Sequence, residues 1–169
     1  SSGNHAQAVA YASKKNRINA KIIMPETAPK IKIYNTKKYG AEVILYNDFY
    51  ENREEIGKKI VKDESRILIK PYDDLEVIAG QGTSGKEIAQ DLINLKISPN
   101  IYLCCCGGGG LIAGTSTYLK YIFPKIQCYS VEPDNYDDTK ISLEKNFITP
   151  VTKKLESFCD ALLAKQPGD

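Results

Sequence analysis

Short apolar runs alternate with helix-like segments along the first part of the chain. Residues 20–24 and 41–46 are apolar and rich in β-branched side chains, which predicts two strands. Alanines at helical spacing predict a first helix over residues 5–15, with Asn4 as its N-cap. A second helix is predicted near residues 31–39.

Local sequence signals mark where the next helices and strands begin and end. Gly40 suits the position just past the end of the second helix. A third helix is predicted to follow Asn47 or Asp48, since either side chain can act as its N-cap. The apolar residues 67–69 then predict a third strand.

The alternation continues through the second part of the chain. The pattern predicts a helix, a strand, a helix and a strand, at residues 78–92, 100–106, 111–123 and 126–131. The first of these helices contains three glycines, which weaken an isolated helix but allow close packing. We therefore expect that helix to lie against another lobe.

Strands that alternate with helices predict parallel pairing through right-handed crossovers. The fold class is therefore α/β, with parallel sheets flanked by helices. We expect two lobes, a small one over residues 1–70 and part of a larger one over residues 71–169.

Composition narrows the classes of function. The net charge is +2 and no dense basic block is present, which argues against nucleic acid as a partner. No apolar run approaches the roughly 20 residues that span a bilayer, and no signal-like N-terminus is present, so we expect a cytoplasmic protein with no membrane partner.

The five cysteines include three in a row, Cys104, Cys105 and Cys106, within an apolar stretch. We expect reduced, buried thiols, because consecutive side chains of a strand point to opposite faces and do not converge on one metal ion. Cys128 and Cys159 are isolated in the sequence and are expected to pack.

Four consecutive glycines, Gly107 to Gly110, stand between a predicted strand and the first turn of a helix at Leu111. Backbone N–H groups in such a loop can approach a phosphate, and the helix N-terminus adds partial positive charge. Gly108, Gly110 and Ala113 also satisfy the dinucleotide pattern G-x-G-x-x-A, with Glu132 where a ribose-binding acid belongs. The glycines by themselves leave a dinucleotide and another phosphate-bearing cofactor both open.

Two further segments carry polar groups suited to chemistry. Residues 1–7, Ser-Ser-Gly-Asn-His-Ala-Gln, place hydroxyl, amide and imidazole groups at the start of a helix, which suits a carboxylate; an ordinary N-cap is the alternative. Residues 132–138, Glu-Pro-Asp-Asn-Tyr-Asp-Asp, form an oxygen-rich turn that suits Mg²⁺ or Ca²⁺; a solvated acidic turn is the alternative.

Six motifs occur together in order, at residues 1–12, 24–29, 39–44, 78–83, 107–111 and 131–133. This set resembles the serine/threonine dehydratase and serine racemase branch of the fold-type-II, tryptophan-synthase-β-like pyridoxal-phosphate enzymes. The resemblance covers almost the whole chain. It implies the three-layer α/β sandwich of that group and favours pyridoxal 5'-phosphate over a dinucleotide.

The resemblance also implies roles for individual residues. The cofactor phosphate is held by the backbone of Gly107, Gly108, Gly109, Gly110 and Leu111. Asn4 contacts the pyridine 3-hydroxyl, Ser2 is the catalytic acid/base, and Ser1, Asn4 and His5 surround the substrate carboxylate. A divalent cation, Mg²⁺ or Ca²⁺, binds Glu132, the backbone carbonyl of Tyr136, and Asp138.

The implied reaction converts L-threonine or L-serine to an α-keto acid and ammonia, and relatives are commonly dimers or tetramers. The lysine that forms the Schiff base lies upstream of Ser1 in the family, and a C-terminal segment lies beyond Asp169. We therefore expect a piece truncated at both ends that is inactive as it stands. Rival hypotheses are serine racemase, a cysteine-synthase-like β-replacement enzyme, and a catalytically dead remnant or binding module.

Overall fold

The computed structural model describes residues 3–47, 49–152 and 157–169. The chain divides into two compact units, Ser1–Leu68 and Ile69–Asp169. Each unit contains a two-stranded parallel sheet with helices packed against it, which confirms the α/β class. The identification of the two parts as the small lobe and the cofactor-binding lobe stays a prediction.

The first unit alternates helix and strand throughout. Its elements are α1 (Asn4–Lys15), β1 (Lys21–Pro25), α2 (Lys30–Lys38), β2 (Glu42–Tyr46) and α3 (Arg53–Glu64). Strands β1 and β2 are parallel, with Ile22 opposite Val43. Small alanines of α1 and the buried side chains Ile22 and Met24 of β1 form the core, so the helix lies close to the sheet.

Three local expectations for this unit are wrong. Asn4 is the first helical residue, Gly3 holds the cap position, and no side chain caps α1 within the described residues. Helix α3 is capped by Asn52, whose side chain accepts a hydrogen bond from the Glu54 N–H, rather than by Asn47; Asp48 lies outside the described residues. Residues 67–69 form no strand, because they pair with no other strand of the described residues; Ile67 is 91% exposed.

The second unit carries the glycine-rich loop. Its elements are α4 (Leu75–Asn94), β3 (Ile101–Cys105), α5 (Gly110–Ile122), β4 (Gln127–Val131) and α6 (Asp138–Lys145). Strands β3 and β4 are parallel, with Leu103 opposite Tyr129. A core of Ala89, Leu119 and Ile126 packs α4 and α5 together beside the sheet. The sequence pattern did not predict α6, which is short and has a largely polar sequence.

Helices α4 and α5 approach so closely that their backbones meet. A Cβ on Gly85 would lie 2.7 Å from the Thr115 carbonyl oxygen, and one on Gly114 would overlap the Ile78 carbonyl oxygen. The close packing expected of the glycines in α4 is therefore present. The partner in this close packing is α5 of the same unit.

The cysteines are free thiols, but not all of them are buried. Cys104 and Cys106 are buried, whereas Cys105 points to the opposite, exposed face of β3 and Cys159 is also exposed. The expectation of burial is therefore wrong for these last two residues. Among the helices in the described ranges, none combines the length and apolarity that a membrane crossing requires.

Candidate functional site

The glycine-rich loop joins the end of β3 to the start of α5. Gly109 occupies the N-cap position with φ +94°, a left-handed conformation that favours glycine. No side chain of the described residues caps α5, and the backbone N–H groups of residues 107–111 donate to no other group in the described ranges. The loop therefore presents a row of unsatisfied donors at a helix N-terminus, which is the arrangement that binds a phosphate.

Two neighbouring segments hold this loop in place. The Cys106 N–H donates to the Val131 carbonyl at 2.9 Å, which extends the pairing of the two strands into the loop. On the other side the Gly108 carbonyl accepts a hydrogen bond from the Gly168 N–H at 3.1 Å. The carbonyl of Gly108 is thus already hydrogen-bonded, whereas the N–H groups of the loop remain available as donors to a ligand.

The aromatic ring of Tyr72 lies directly against Gly108. A Cβ added to Gly108 would overlap three atoms of this ring, and a Cβ on Gly110 would lie 3.0 Å from the Tyr72 Cα. Sequence reasoning missed Tyr72, because the segment around it has only the signature of a turn. Nothing local in a sequence indicates a contact between residues so far apart in the chain.

The second predicted segment lies at the start of α1. Ser1 and Ser2 fall outside the described residues, so the catalytic acid/base assigned to Ser2 has no described geometry. Asn4 is exposed and His5 is half-buried, both in the first turn of a helix with no acidic residue in that turn. Such a turn retains the positive end of the helix dipole, as a carboxylate site requires.

The acidic turn before α6 forms a compact carboxylate cluster. Both oxygens of Glu132 accept hydrogen bonds at 2.9 Å, from the N–H groups of Thr139 and Lys140, so this side chain, directly after β4, caps α6. Asp138 is only 3% exposed, and its Oδ2 has no hydrogen-bond partner in the described structure. Tyr136 is also buried.

Burial raises the pKa of Asp138 to about 6, and the negative charges of Glu132 and Asp137 act in the same direction. A buried carboxylate oxygen without a donor is costly unless it is protonated or bound to a cation. The described residues contain no group of three or more His, Cys, Asp or Glu side chains that could hold a metal ion. A cation here would have to use a backbone carbonyl, such as that of Tyr136, besides the two carboxylates.

The residue before the glycine loop contacts the first turn of α6 within the second unit. The buried Cys106 thiol lies 3.4 Å from the Thr139 hydroxyl, and the Thr139 N–H is one of the two donors to Glu132. Burial raises the pKa of the Cys106 thiol, so this side chain stays neutral near pH 7. Asn4 and His5 belong to the other unit.

Comparison with known proteins identifies the family of this chain. Residues 1–169 match the family described as "Pyridoxal-phosphate dependent enzyme". The chain belongs to this family, which confirms the resemblance drawn from the six motifs.

Particular relatives are more specific. The chain is 40% identical over 151 residues to the serine racemase of Schizosaccharomyces pombe, covering 89% of this chain and 46% of that protein. It is 40% identical over 171 residues to a catabolic L-threonine dehydratase of Staphylococcus aureus, covering 100% and 47% respectively. A crystal structure of a threonine deaminase from T.th. matches with a TM-score of 0.93 at 38% identity, covering 100% of this chain and 54% of that one.

The chain therefore spans about half the length of the relatives that it matches. The fold of this half agrees with theirs, so the expected α/β architecture with parallel sheets flanked by helices is confirmed. Sequence and fold both lead to pyridoxal phosphate as the cofactor of the family.

Proposed function

We propose that the full-length protein is a pyridoxal-phosphate-dependent ammonia-lyase that converts L-threonine or L-serine to an α-keto acid and ammonia. One observation carries this proposal: the N–H groups of residues 107–111 donate to no group in the described ranges, and they lie at the N-terminus of α5. That arrangement fits a phosphate monoester, and pyridoxal phosphate is the phosphate monoester that the family uses.

Each segment of this chain has a proposed task. When bound, the cofactor ring accepts the electrons left behind as the α-proton of the amino acid departs. Residues 107–111 anchor the phosphate, and Asn4 contacts the pyridine 3-hydroxyl. Ser1, Asn4 and His5 orient the substrate carboxylate at the start of α1, where the helix dipole favours an anion.

Ser2 is the proposed acid/base. A serine hydroxyl near neutral pH is a poor base and a better donor, so we assign it the delivery of a proton to the substrate α-carbon. A residue with this task matters most for racemisation, since dehydration does not need a proton returned to that carbon. A Ser2→Ala variant is therefore expected to lose any racemase activity while it retains more of its lyase activity.

The acidic turn is the proposed cation site, with Glu132, the carbonyl of Tyr136, and Asp138 as protein ligands. The unpartnered buried Oδ2 of Asp138 supports this proposal, because a divalent cation supplies what that oxygen lacks. Mg²⁺ and Ca²⁺ both prefer such oxygen ligands. Their relative affinities can be read from the shift in unfolding midpoint on adding each ion.

Serine racemase is the second candidate, because the relative from Schizosaccharomyces pombe that carries that name is as similar as the dehydratases are. The two functions are separated by giving the full-length protein with pyridoxal phosphate either L-threonine or L-serine, and measuring α-keto acid and D-serine in parallel. We expect α-keto acid to be the major product. D-Serine as the major product would replace the proposal with the racemase.

The same samples test the more distant rivals. Sulfide-dependent formation of cysteine from an O-activated serine would identify a β-replacement enzyme. The absence of any turnover and of any cofactor binding would identify a remnant. We also propose that the full-length protein is a homo-oligomer, a dimer or a tetramer, which light scattering after size-exclusion chromatography measures directly.

A further inference from the structure

The glycine loop has a fixed wall on one side. The ring of Tyr72 fills the space where a side chain at Gly108 would be, and the backbone of Tyr72 lies close to Gly110 as well. Two of the four glycines in the loop are thus required by one neighbouring residue. Gly109 differs from them, because a Cβ added there would meet nothing within 4 Å. Glycine is favoured at this position by its left-handed backbone, with φ +94°.

Tyr72 is itself anchored to the segment that ties down the loop. Its hydroxyl donates to the Gln166 carbonyl at 3.3 Å, and two residues later the Gly168 N–H donates to the Gly108 carbonyl. The neighbouring Asp73 accepts a hydrogen bond from the Asp169 N–H, also at 3.3 Å. The turn before α4, the glycine loop and residues 166–169 therefore form one connected arrangement.

A loop of four glycines is otherwise the most flexible backbone a protein can make. Ordering it when an anion binds would cost conformational entropy, which lowers affinity. A ring packed on Gly108 removes much of that freedom beforehand and leaves the N–H groups aimed in a fixed direction. The hydroxyl bond of Tyr72 is long and lies near solvent, so the ring matters more than the hydroxyl.

We propose that Tyr72 is a positioning residue for the phosphate-binding loop: its ring, packed on Gly108, preorganises the N–H groups of residues 107–111. This inference rests on the proposed function, since it gives the reason why that loop binds phosphate well. The ring of Tyr72 is then also the reason why position 108 requires a glycine.

The test is a set of substitutions in the full-length protein, with pyridoxal phosphate and inorganic phosphate as probes. Tyr72→Phe keeps the ring and should leave the dissociation constant of pyridoxal phosphate within about twofold of wild type. Tyr72→Ala should weaken binding by about tenfold, and Gly108→Ala by about tenfold or more. The double variant Gly108→Ala with Tyr72→Ala should bind more tightly than Gly108→Ala, because the new methyl group now has room.

Gly109→Ala is the matched control. Its defect comes from backbone strain and not from the ring, so Tyr72→Ala should give no relief and the two effects should add. The ³¹P signal of bound pyridoxal phosphate should broaden or shift in Tyr72→Ala and stay unchanged in Tyr72→Phe. A merely structural role of the ring would lower the unfolding midpoint without moving that signal.

The outcome that overturns the proposed function differs from the outcome that overturns only the role of Tyr72. Wild-type protein that binds neither probe overturns the proposed function, and this inference with it. Wild-type protein that binds normally, together with Tyr72→Ala of unchanged affinity or a double variant with no relief, overturns the inference and leaves the proposed function standing.

Discussion

The contact between α4 and α5 gives the sharpest stability prediction. A Gly85→Ala substitution places a methyl carbon 2.7 Å from the Thr115 carbonyl oxygen and 3.0 Å from its Cα. Both are backbone atoms of the facing helix, so neither can turn aside as a side chain would. Overpacking of this kind costs about 1–3 kcal/mol.

Helix propensity acts in the opposite direction. Replacing a glycine inside a helix by alanine is worth about 1 kcal/mol when the site is free of contacts. Gly80 lies in the same helix, is exposed, and has nothing within 4 Å of its Cβ direction, so Gly80→Ala is the matched control. We expect Gly80→Ala to stabilise by about 1 kcal/mol and Gly85→Ala to destabilise by up to about 2 kcal/mol.

The free energy of unfolding from urea denaturation, supported by hydrogen exchange of the α4 amides, measures both variants. The separation between them, about 1–3 kcal/mol, is the quantity of interest because helix propensity cancels in it and only the overpacking cost remains. Equal stabilisation by both alanines would refute the close approach of α4 and α5.

Three further predictions concern other elements. Asp74→Ala removes the side chain that accepts from the N–H groups at 76 and 77, so it should destabilise α4 by about 1 kcal/mol in urea denaturation, whereas Asp74→Asn should cost less. Because burial raises the pKa of Asp138 to about 6 in the folded state, its contribution to the stability of the cation-free protein should fall by about 2 kcal/mol as pH rises from 4 to 7, measured as the difference between wild type and Asp138→Asn. At pH 7 added Mg²⁺ or Ca²⁺ should raise the unfolding midpoint of wild type and not that of Asp138→Asn; a wild type with the same pH dependence as Asp138→Asn, or one insensitive to both cations, would contradict this account.

Much of the fold follows from local signals. Strands β1 to β4 each lie within about a residue of the apolar runs that predicted them, because β-branched and aromatic side chains favour extended backbone. The glycine loop was visible because four glycines in a row have few structural explanations. The motif set added the family and its cofactor.

The features that the sequence did not reveal depend mostly on contacts with residues distant in the chain. Residues 67–69 have the composition of a strand but pair with nothing in the described ranges, since pairing requires a neighbour that composition does not supply. Asn47 and Asn52 are equally suitable N-cap residues by type. Asn52 is the N-cap because α3 begins at the residue that follows it. Tyr72 could not be foreseen, because its role comes from contacts with Gly108 and Gln166.

The most direct test of the central claim is a crystal structure of the full-length protein with pyridoxal phosphate. The account predicts phosphate oxygens at about 2.7–3.2 Å from backbone nitrogens of residues 107–111, at the N-terminus of α5. A phosphate group bound elsewhere, with this loop left without an anion, would contradict it.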